Sequence, residues 1–506
     1  SSVDSNAEGF AQTVTFNRSE SGMLSYVGRV NYSYDDKYLF EFMLRSDASA
    51  KFAPQNYWGM FPSWSAGWVI SDEKWFDKDK TKIDFLKIRG SFGILGKDNV
   101  NAWLWTQLYT RNPDKGPIFG TNSSTNTSAT IRMPKQGVNP DVHWDKTYKT
   151  NFGIDMAFLK NRMSANLDFY YDMGREMFAS HQGTSYYPNT VGIQPAPENF
   201  GEVDTYGVEL SLGWKDKIGK DMSYWVKLTT GYNDNKIRET GWKAAYDFDK
   251  LVRNERSDRG LWGYECIGMF RSYQEINEYF DKYSITKYLG NTKENVHPGM
   301  LIYKDVRGQY DESTGTFGPA DGIVDEQDYI KISHRASNPY GGTLNFGFSY
   351  KDFSISAQFG ASWGAYSLVP TTMRKESYSE YSNVSAMWKD MFVYEDIYDA
   401  NNIVTVAQNR NAKYPNIRYS SVNGAPSTFW KVSAATVQLR NMTVAYALPK
   451  EWLKIIGISS CRFNLTCQNV FNFLNPYPEG AWASWAGSYG YYPNLRKFTL
   501  GVNVSF

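Results

Sequence analysis

Long apolar runs are missing from this 506-residue chain. No stretch of about 18 apolar residues occurs, which excludes a helical membrane span but leaves open a β-barrel, whose spans need only about 9 to 11 alternating residues. An excess of charge of one sign is missing as well: 54 Lys and Arg stand against 53 Asp and Glu, a net +1. No global field would gather polyanions, so a nucleic-acid partner is set aside. Cysteine is scarce. Cys266, Cys461 and Cys467 cannot all pair, and so few in a chain this long means disulfides do not hold the fold together. The four histidines, His143, His181, His297 and His334, show neither zinc-site nor catalytic spacing and read as surface residues. No nucleophile elbow, zincin helix, phosphate loop or dinucleotide fingerprint is present, so the chain is not read as an enzyme. Its opening residues, SSVDSNAEGF, have neither a basic start nor an apolar core, so any secretory signal is expected upstream of a mature product or fragment.

Aromatic residues are abundant, at 17% with 37 Tyr, 30 Phe and 17 Trp, although mean hydropathy is only -0.53. Large rings must therefore be interleaved with polar residues. In residues 24–34 one face carries Leu24, Tyr26, Val30, Tyr32 and Tyr34, and the other Ser25, Arg29, Asn31 and Ser33. The same period of two sets Phe152, Ile154, Met156 and Phe158 against Asn151 and Asp155, and Leu344, Phe346, Phe348 and Tyr350 against Asn345 and Ser349. About thirteen such strands are predicted, starting near Leu24, Tyr38, Trp58, Phe85, Tyr148, Met163, Val203, Ser223, Gly342, Phe353, Val437, Ser459 and Leu495. Two all-β classes fit: a secreted β-rich binding module and an outer-membrane barrel.

Connector lengths separate them. Short links at 35–37, 161–162, 215–221, 351–352 and 449–457, with a longer one at 71–84, alternate with mostly far longer links at 47–57, 97–146, 173–202, 236–341, 365–429 and 471–494. Short periplasmic turns and long extracellular loops are the asymmetry of an outer-membrane barrel, and a sandwich gives no reason for it. The last strand then ends in the periplasm, and Thr499, Gly501, Val504 and the terminal Phe506 match the assembly signal of such barrels: a polar residue, then Gly, then an apolar residue and a closing aromatic.

Motifs on these strands carry a family resemblance. Gly28-Arg29-Val30-Asn31-Tyr32-Ser33-Tyr34 with Arg45-Ser46-Asp47-Ala48-Ser49, Trp58-Gly59-Met60-Phe61-Pro62-Ser63 with Ala66-Gly67-Trp68, and Leu86-Lys87-Ile88-Arg89-Gly90-Ser91-Phe92-Gly93 resemble SusC-like TonB-dependent transporters of Bacteroidetes. So do Asn139-Pro140-Asp141, the stretch Gln438-Leu439-Arg440-Asn441-Met442 and the closing Gln468-Asn469-Val470-Phe471. The resemblance implies a 22-stranded transmembrane antiparallel barrel with a plug, of which residues 1–506 would be the C-terminal part, about thirteen strands without the plug. Implied partners are a SusD-like lipoprotein, outer-membrane lipid, the remaining N-terminal barrel and plug, and through that part the TonB complex. The implied activity is import of oligosaccharides across the outer membrane, with oligopeptides as the alternative cargo.

Two constellations are candidate sites. Aromatic residues in and beside the long loops, Trp262, Tyr264, Trp363, Tyr366, Trp482 and Trp485, are candidate cargo contacts, because flat rings stack on the apolar faces of sugars; their rivals are membrane girdle and partner packing. Asp321, Asp325 and Asp328 around Gly322 resemble the second half of a calcium loop, and Asp305 joins them if residues 309–320 loop out, a set for Ca or Mg. Arg307 stands where such loops place an amide or acid, and the competing reading is a turn in which Asp side chains bind backbone amides.

Overall fold

In a computed structural model of the chain, the structure describes residues 2–3, 12–13, 21–112, 130–132, 137–179, 190, 193–240, 254–311, 313–375, 385–455, 457–474, 477 and 495–506. Its centre is a single antiparallel sheet of thirteen strands, each paired with its neighbours in chain order. These are β1 (Met23–Tyr34), β2 (Tyr38–Ser49), β3 (Trp58–Val69), β4 (Ile83–Lys97), β5 (Asp145–Phe158), β6 (Met163–Ala179) and β7 (Glu198–Ile218). They continue as β8 (Met222–Glu239), β9 (Tyr340–Tyr350), β10 (Phe353–Trp363), β11 (Thr436–Ala447), β12 (Ser460–Leu474) and β13 (Lys497–Ser505). The sheet is open, with β1 and β13 as its edges. Number, order and positions agree with the alternation in the sequence.

The turns at one end follow from residues that tolerate a left-handed backbone. Between β1 and β2, Asp35 (φ 53) and Asp36 (φ 52) form a mirror-image turn closed by the Lys37 amide on the Tyr34 carbonyl at 3.1 Å. Lys351 (φ 49) opens the two-residue link between β9 and β10. At the other end the connectors span 50–57, 98–144, 180–197, 240–339, 364–435 and 475–496, which keeps the expected asymmetry.

One face of the sheet is apolar and exposed. Val30, Phe40, Phe42, Phe152, Phe169, Leu344, Leu465 and Leu500 lie on it, uncovered by any of the described residues, where a soluble sandwich would place a second sheet. Aromatic rings bound this band at both ends. Toward the long connectors Tyr26 stacks on Trp58 at 5.8 Å, Tyr171 on Tyr206 at 6.2 Å and Tyr340 on Trp363 at 6.0 Å. Toward the short turns Tyr38 stacks on Trp68 at 6.4 Å, and Trp214 Nε1 donates to Tyr224 Oη at 3.1 Å. Tyr26 and Tyr34, Tyr206 and Trp214, and Tyr224 and Tyr232 are eight residues apart. That is about 26 Å along a strand, the scale of the roughly 25 Å lipid-facing band of an outer-membrane barrel.

Several strands run further toward the long connectors than the sequence pattern predicted, among them β6 to Ala179, β7 from Glu198, β8 to Glu239, β12 to Leu474 and β2 to Ser49. Beyond the aromatic belt the same face turns from apolar to charged while pairing continues. Arg175 and Arg238 meet Asp204 at 2.7 and 2.5 Å, and Arg335 meets Asp234 at 2.7 Å. Apolar alternation marks only the part of a strand that crosses lipid, so it stops short of the strand ends. Among the described residues no helix is long and apolar enough to cross a membrane, which says nothing of a barrel.

Candidate functional site

The two longest connectors fold together. Phe270, Tyr279, Tyr288, Leu301 and Tyr303 from residues 254–339 share one buried core with Met373, Trp388, Phe392, Tyr414 and Trp430 from residues 364–435. A helix, Tyr273–Tyr283, supplies part of it. Ser272 caps its first turn by accepting from the Glu275 amide at 3.2 Å, and Ile276, Tyr279 and Phe280, spaced at three and four residues, are its buried side. Polar groups join the halves. Fully buried Asn423 accepts from the Leu301 amide at 2.8 Å and donates to the Gly299 and Asn416 carbonyls at 3.0 and 2.8 Å. Arg374, 4% exposed, donates to the Val369 and Gly424 carbonyls at 2.6 and 2.5 Å, and its burial pulls its pKa below the usual guanidinium value. The result is a packed lobe at the end of the sheet opposite the short turns.

This lobe decides which aromatic candidates are buried. Tyr264 is 2% exposed, stacked on Tyr303 at 4.7 Å and against the edge of Tyr329 at 4.7 Å, and burial pushes its hydroxyl pKa well up. It serves the core, and the expectation of a cargo contact there is corrected. Trp363 lies on the apolar face of β10 in the ring series of Tyr232 and Tyr340, a position that fits the rival reading of a membrane girdle. Trp262 is half-buried with the Lys331 ammonium 5.0 Å from its ring centre, and Tyr366 is exposed with Lys431 at 4.1 Å. These two remain accessible. Trp482, Trp485 and His181 fall outside the described residues. His143 contacts Glu176 at 3.2 Å and His297 stacks on Tyr419 at 5.3 Å.

The acidic loop takes the bulged-out shape on which the place of Asp305 in the set depended. Tyr310–Asp311 and Thr316–Phe317 pair as a small hairpin, so residues 309–320 leave the path and Asp305 meets the Gly322 amide at 2.7 Å. Each carboxylate is then engaged by backbone. Asp321 accepts from the Ile323 amide at 3.0 Å and Asp325 from the Gln327 amide at 2.8 Å. Asp328, fully buried, accepts from Val306, Arg307 and Asp325 at 2.7, 3.1 and 3.0 Å. Burial raises the pKa of both Asp328 and Asp305 above the usual carboxylate value. Arg307 donates to the Gln327 and Tyr329 carbonyls, and its guanidinium lies 3.9 Å over the Phe317 ring. Among the described residues no group of three or more His, Cys, Asp and Glu side chains is placed to hold a metal ion.

The polar face carries a charge network that residue types alone did not single out. Arg89 of β4 reaches Asp155 of β5 at 3.1 Å and Asp168 of β6 at 2.7 Å, over Gly153, whose missing Cβ leaves room for the guanidinium. The signal was present: Arg89, Asp155 and Asp168 all fall on the wet side of the alternation. Two hollows of about 540 and 530 Å³ lie along this face, lined by Glu41, Ser65, Ser91 and Asn151. At the last strand Gly501 pairs with Asn464 and Val504 with Cys461, while Phe506 projects, 91% exposed.

No family model matches the chain. TonB-dependent receptor P39 of Formosa agariphila is 24% identical over 518 residues, covering 95% of this chain and 46% of the receptor. TonB-dependent receptor SusC of Bacteroides thetaiotaomicron is 26% identical over 503 residues, covering 96% and 44%. In fold the chain matches the RagAB peptide transporter with a TM-score of 0.69 at 19% identity, over 96% of this chain and 48% of that one. The chain thus spans about half the length of the curated relatives it matches. Along nearly its whole length the chain is thus similar in sequence to SusC-like TonB-dependent receptors of Bacteroidetes, and its thirteen-strand meander with an exposed apolar band edged by aromatic rings shares the fold of an outer-membrane barrel.

Proposed function

We propose that the chain is the C-terminal barrel portion of an energy-coupled outer-membrane importer that moves oligosaccharides inward beneath a SusD-like lipoprotein. The observation that carries this is the lobe built from the two longest connectors. Loops of this length are uncommon unless functional or disordered, and a shared aromatic core argues for function. The lobe surface also exposes apolar residues: Ile397, Tyr398, Ile403 and Val404 lie on one hairpin, with Tyr273 and Tyr283 elsewhere. Such residues suit a partner that docks and releases. Recovery of the native complex in mild detergent tests the reading. Co-purification of a lipoprotein supports it, and a barrel recovered alone with the lobe open to protease overturns it.

The cargo reading rests on the SusC-like sequence resemblance and on the accessible rings of Trp262 and Tyr366. A second reading, oligopeptide import, draws support from the fold shared with the RagAB peptide transporter. Titration calorimetry of the complete complex against oligosaccharides and peptides of matched length separates them. The TonB complex and the plug would act through the remaining part of the barrel.

A further inference from the structure

Five aromatic rings run in unbroken series across the short-turn end of β1 to β3 and into the connector that follows. Tyr34 meets Tyr38 at 6.3 Å, Tyr38 meets Trp68 at 6.4 Å, Trp68 meets Trp75 at 6.4 Å and Trp75 meets Phe76 at 6.1 Å. The first three belong to the exposed apolar face. Trp75 does not belong to a strand, yet its contact with Trp68 sets it on that same side. The connector is held there: Glu73 accepts from Tyr38 Oη at 2.7 Å and from Trp68 Nε1 at 3.0 Å, and Ile70 and Ser71 are buried. Asp77 stops the chain from drifting, accepting from the Asp79 and Lys80 amides at 3.0 Å each. An ordered turn thus presents an indole that is 66% exposed.

We propose that residues 70–82 form an interfacial anchor that lays Trp75 among the headgroups of the periplasmic leaflet. A Trp ring has an apolar body and one N–H, so it is most stable where hydrocarbon gives way to water. The rings beside it already border the lipid band, so the surface that Trp75 extends is the one that faces lipid. Lys74 is also exposed and sits next to it in sequence, suited to a phosphate headgroup. The commonest alternative occupant, a periplasmic protein, is one outcome of the test.

The proposal rests on the reading that the apolar face meets lipid, and the experiment separates the two. In the full-length transporter in cells, p-benzoylphenylalanine replaces Trp75, Lys74, Phe152 in the middle of the apolar face, or Ser91 on the polar face. After irradiation, heat-modifiable migration identifies folded barrel, and adducts are sorted into phospholipid and protein. The expected result is phospholipid adduct at Trp75 and Phe152, several-fold above Ser91. Lys74 gives the same readout should the Trp75 variant fail to accumulate. Lipid adduct at Phe152 with only protein adduct, or none, at Trp75 and Lys74 overturns the anchor and leaves the barrel reading standing. No lipid adduct at Phe152 overturns both.

Discussion

Asn423 accepts a hydrogen bond from the Leu301 amide at 2.8 Å across a sequence separation of 122 residues. One fully buried side chain thereby ties two connectors that begin and end on different strands. Replacing it by Ala removes the partner of the Leu301 amide, while the Gly299 and Asn416 carbonyls keep the Asn416 and Tyr419 amides. An unmet buried group costs about 1–3 kcal/mol, so Asn423→Ala should loosen the lobe and spare the sheet. Hydrogen exchange should rise in residues 254–339 and 385–435 while strand amides stay protected.

Gly263 lies where the two connectors touch, its neighbour Tyr264 donating an amide hydrogen bond to the Pro426 carbonyl at 2.9 Å. A Cβ at Gly263 would overlap the Pro426 carbonyl. Gly263→Ala should therefore destabilise the lobe by about 1–3 kcal/mol, the usual cost of overpacking. Limited proteolysis of folded barrel is the measurement, and cleavage near residues 254–270 should accelerate.

Burial raises the Asp328 and Asp305 pKa values, so in the window from the ordinary carboxylate value up to the raised ones the folded lobe holds more protons than the unfolded chain. Their contribution is full below that window and is lost as pH rises through it. Lobe stability, followed by exchange or proteolysis, should fall with rising pH across that acidic range. Asp328→Asn should flatten the slope but also lower stability, because an amide nitrogen cannot accept from the Asp325 amide. With the carboxylates engaged by backbone amides, a chelator should leave lobe unfolding unchanged; a chelator-dependent shift would support the Ca or Mg reading instead.

Tyr366 and Trp363 stand three residues apart in sequence but on different surfaces. Tyr366→Ala should weaken cargo binding by the intact complex several-fold. Trp363→Ala should leave binding unchanged and reduce stability in the membrane, which calorimetry and heat-modifiable migration would read separately. Equal loss of binding in both would place Trp363 back among the cargo contacts.

Phe506 is 91% exposed and lies beyond the last residue of β13 that pairs with β12, so its side chain adds little to that pairing. Phe506→Ala should lower the amount of barrel in the outer membrane while the barrel that does assemble unfolds at the wild-type temperature. Quantifying outer-membrane protein in cells under envelope stress is the check.

The strands were legible in the sequence because lipid enforces a rule at every second residue: Phe152, Ile154 and Met156 on one side, Asn151 and Asp155 on the other. The alternation of connector lengths set the short-turn end apart from the long-loop end, and the structure then showed the left-handed residues Asp35, Asp36 and Lys351 in those short links. The excursion after Gly308 stood in the sequence only as a condition for Asp305 to join the acidic set, and it was the fold that brought Asp305 to the Gly322 amide. What tertiary structure alone decided lies where contacts span a hundred residues. Nothing local distinguishes Tyr264, buried against Tyr303 and Tyr329, from Tyr366, which is exposed, and nothing local says that Trp430 shares a core with Tyr303. Local alternation reports the solvent that a strand meets. It cannot report which loop another loop will cover, because that depends on which side chains the whole fold brings together.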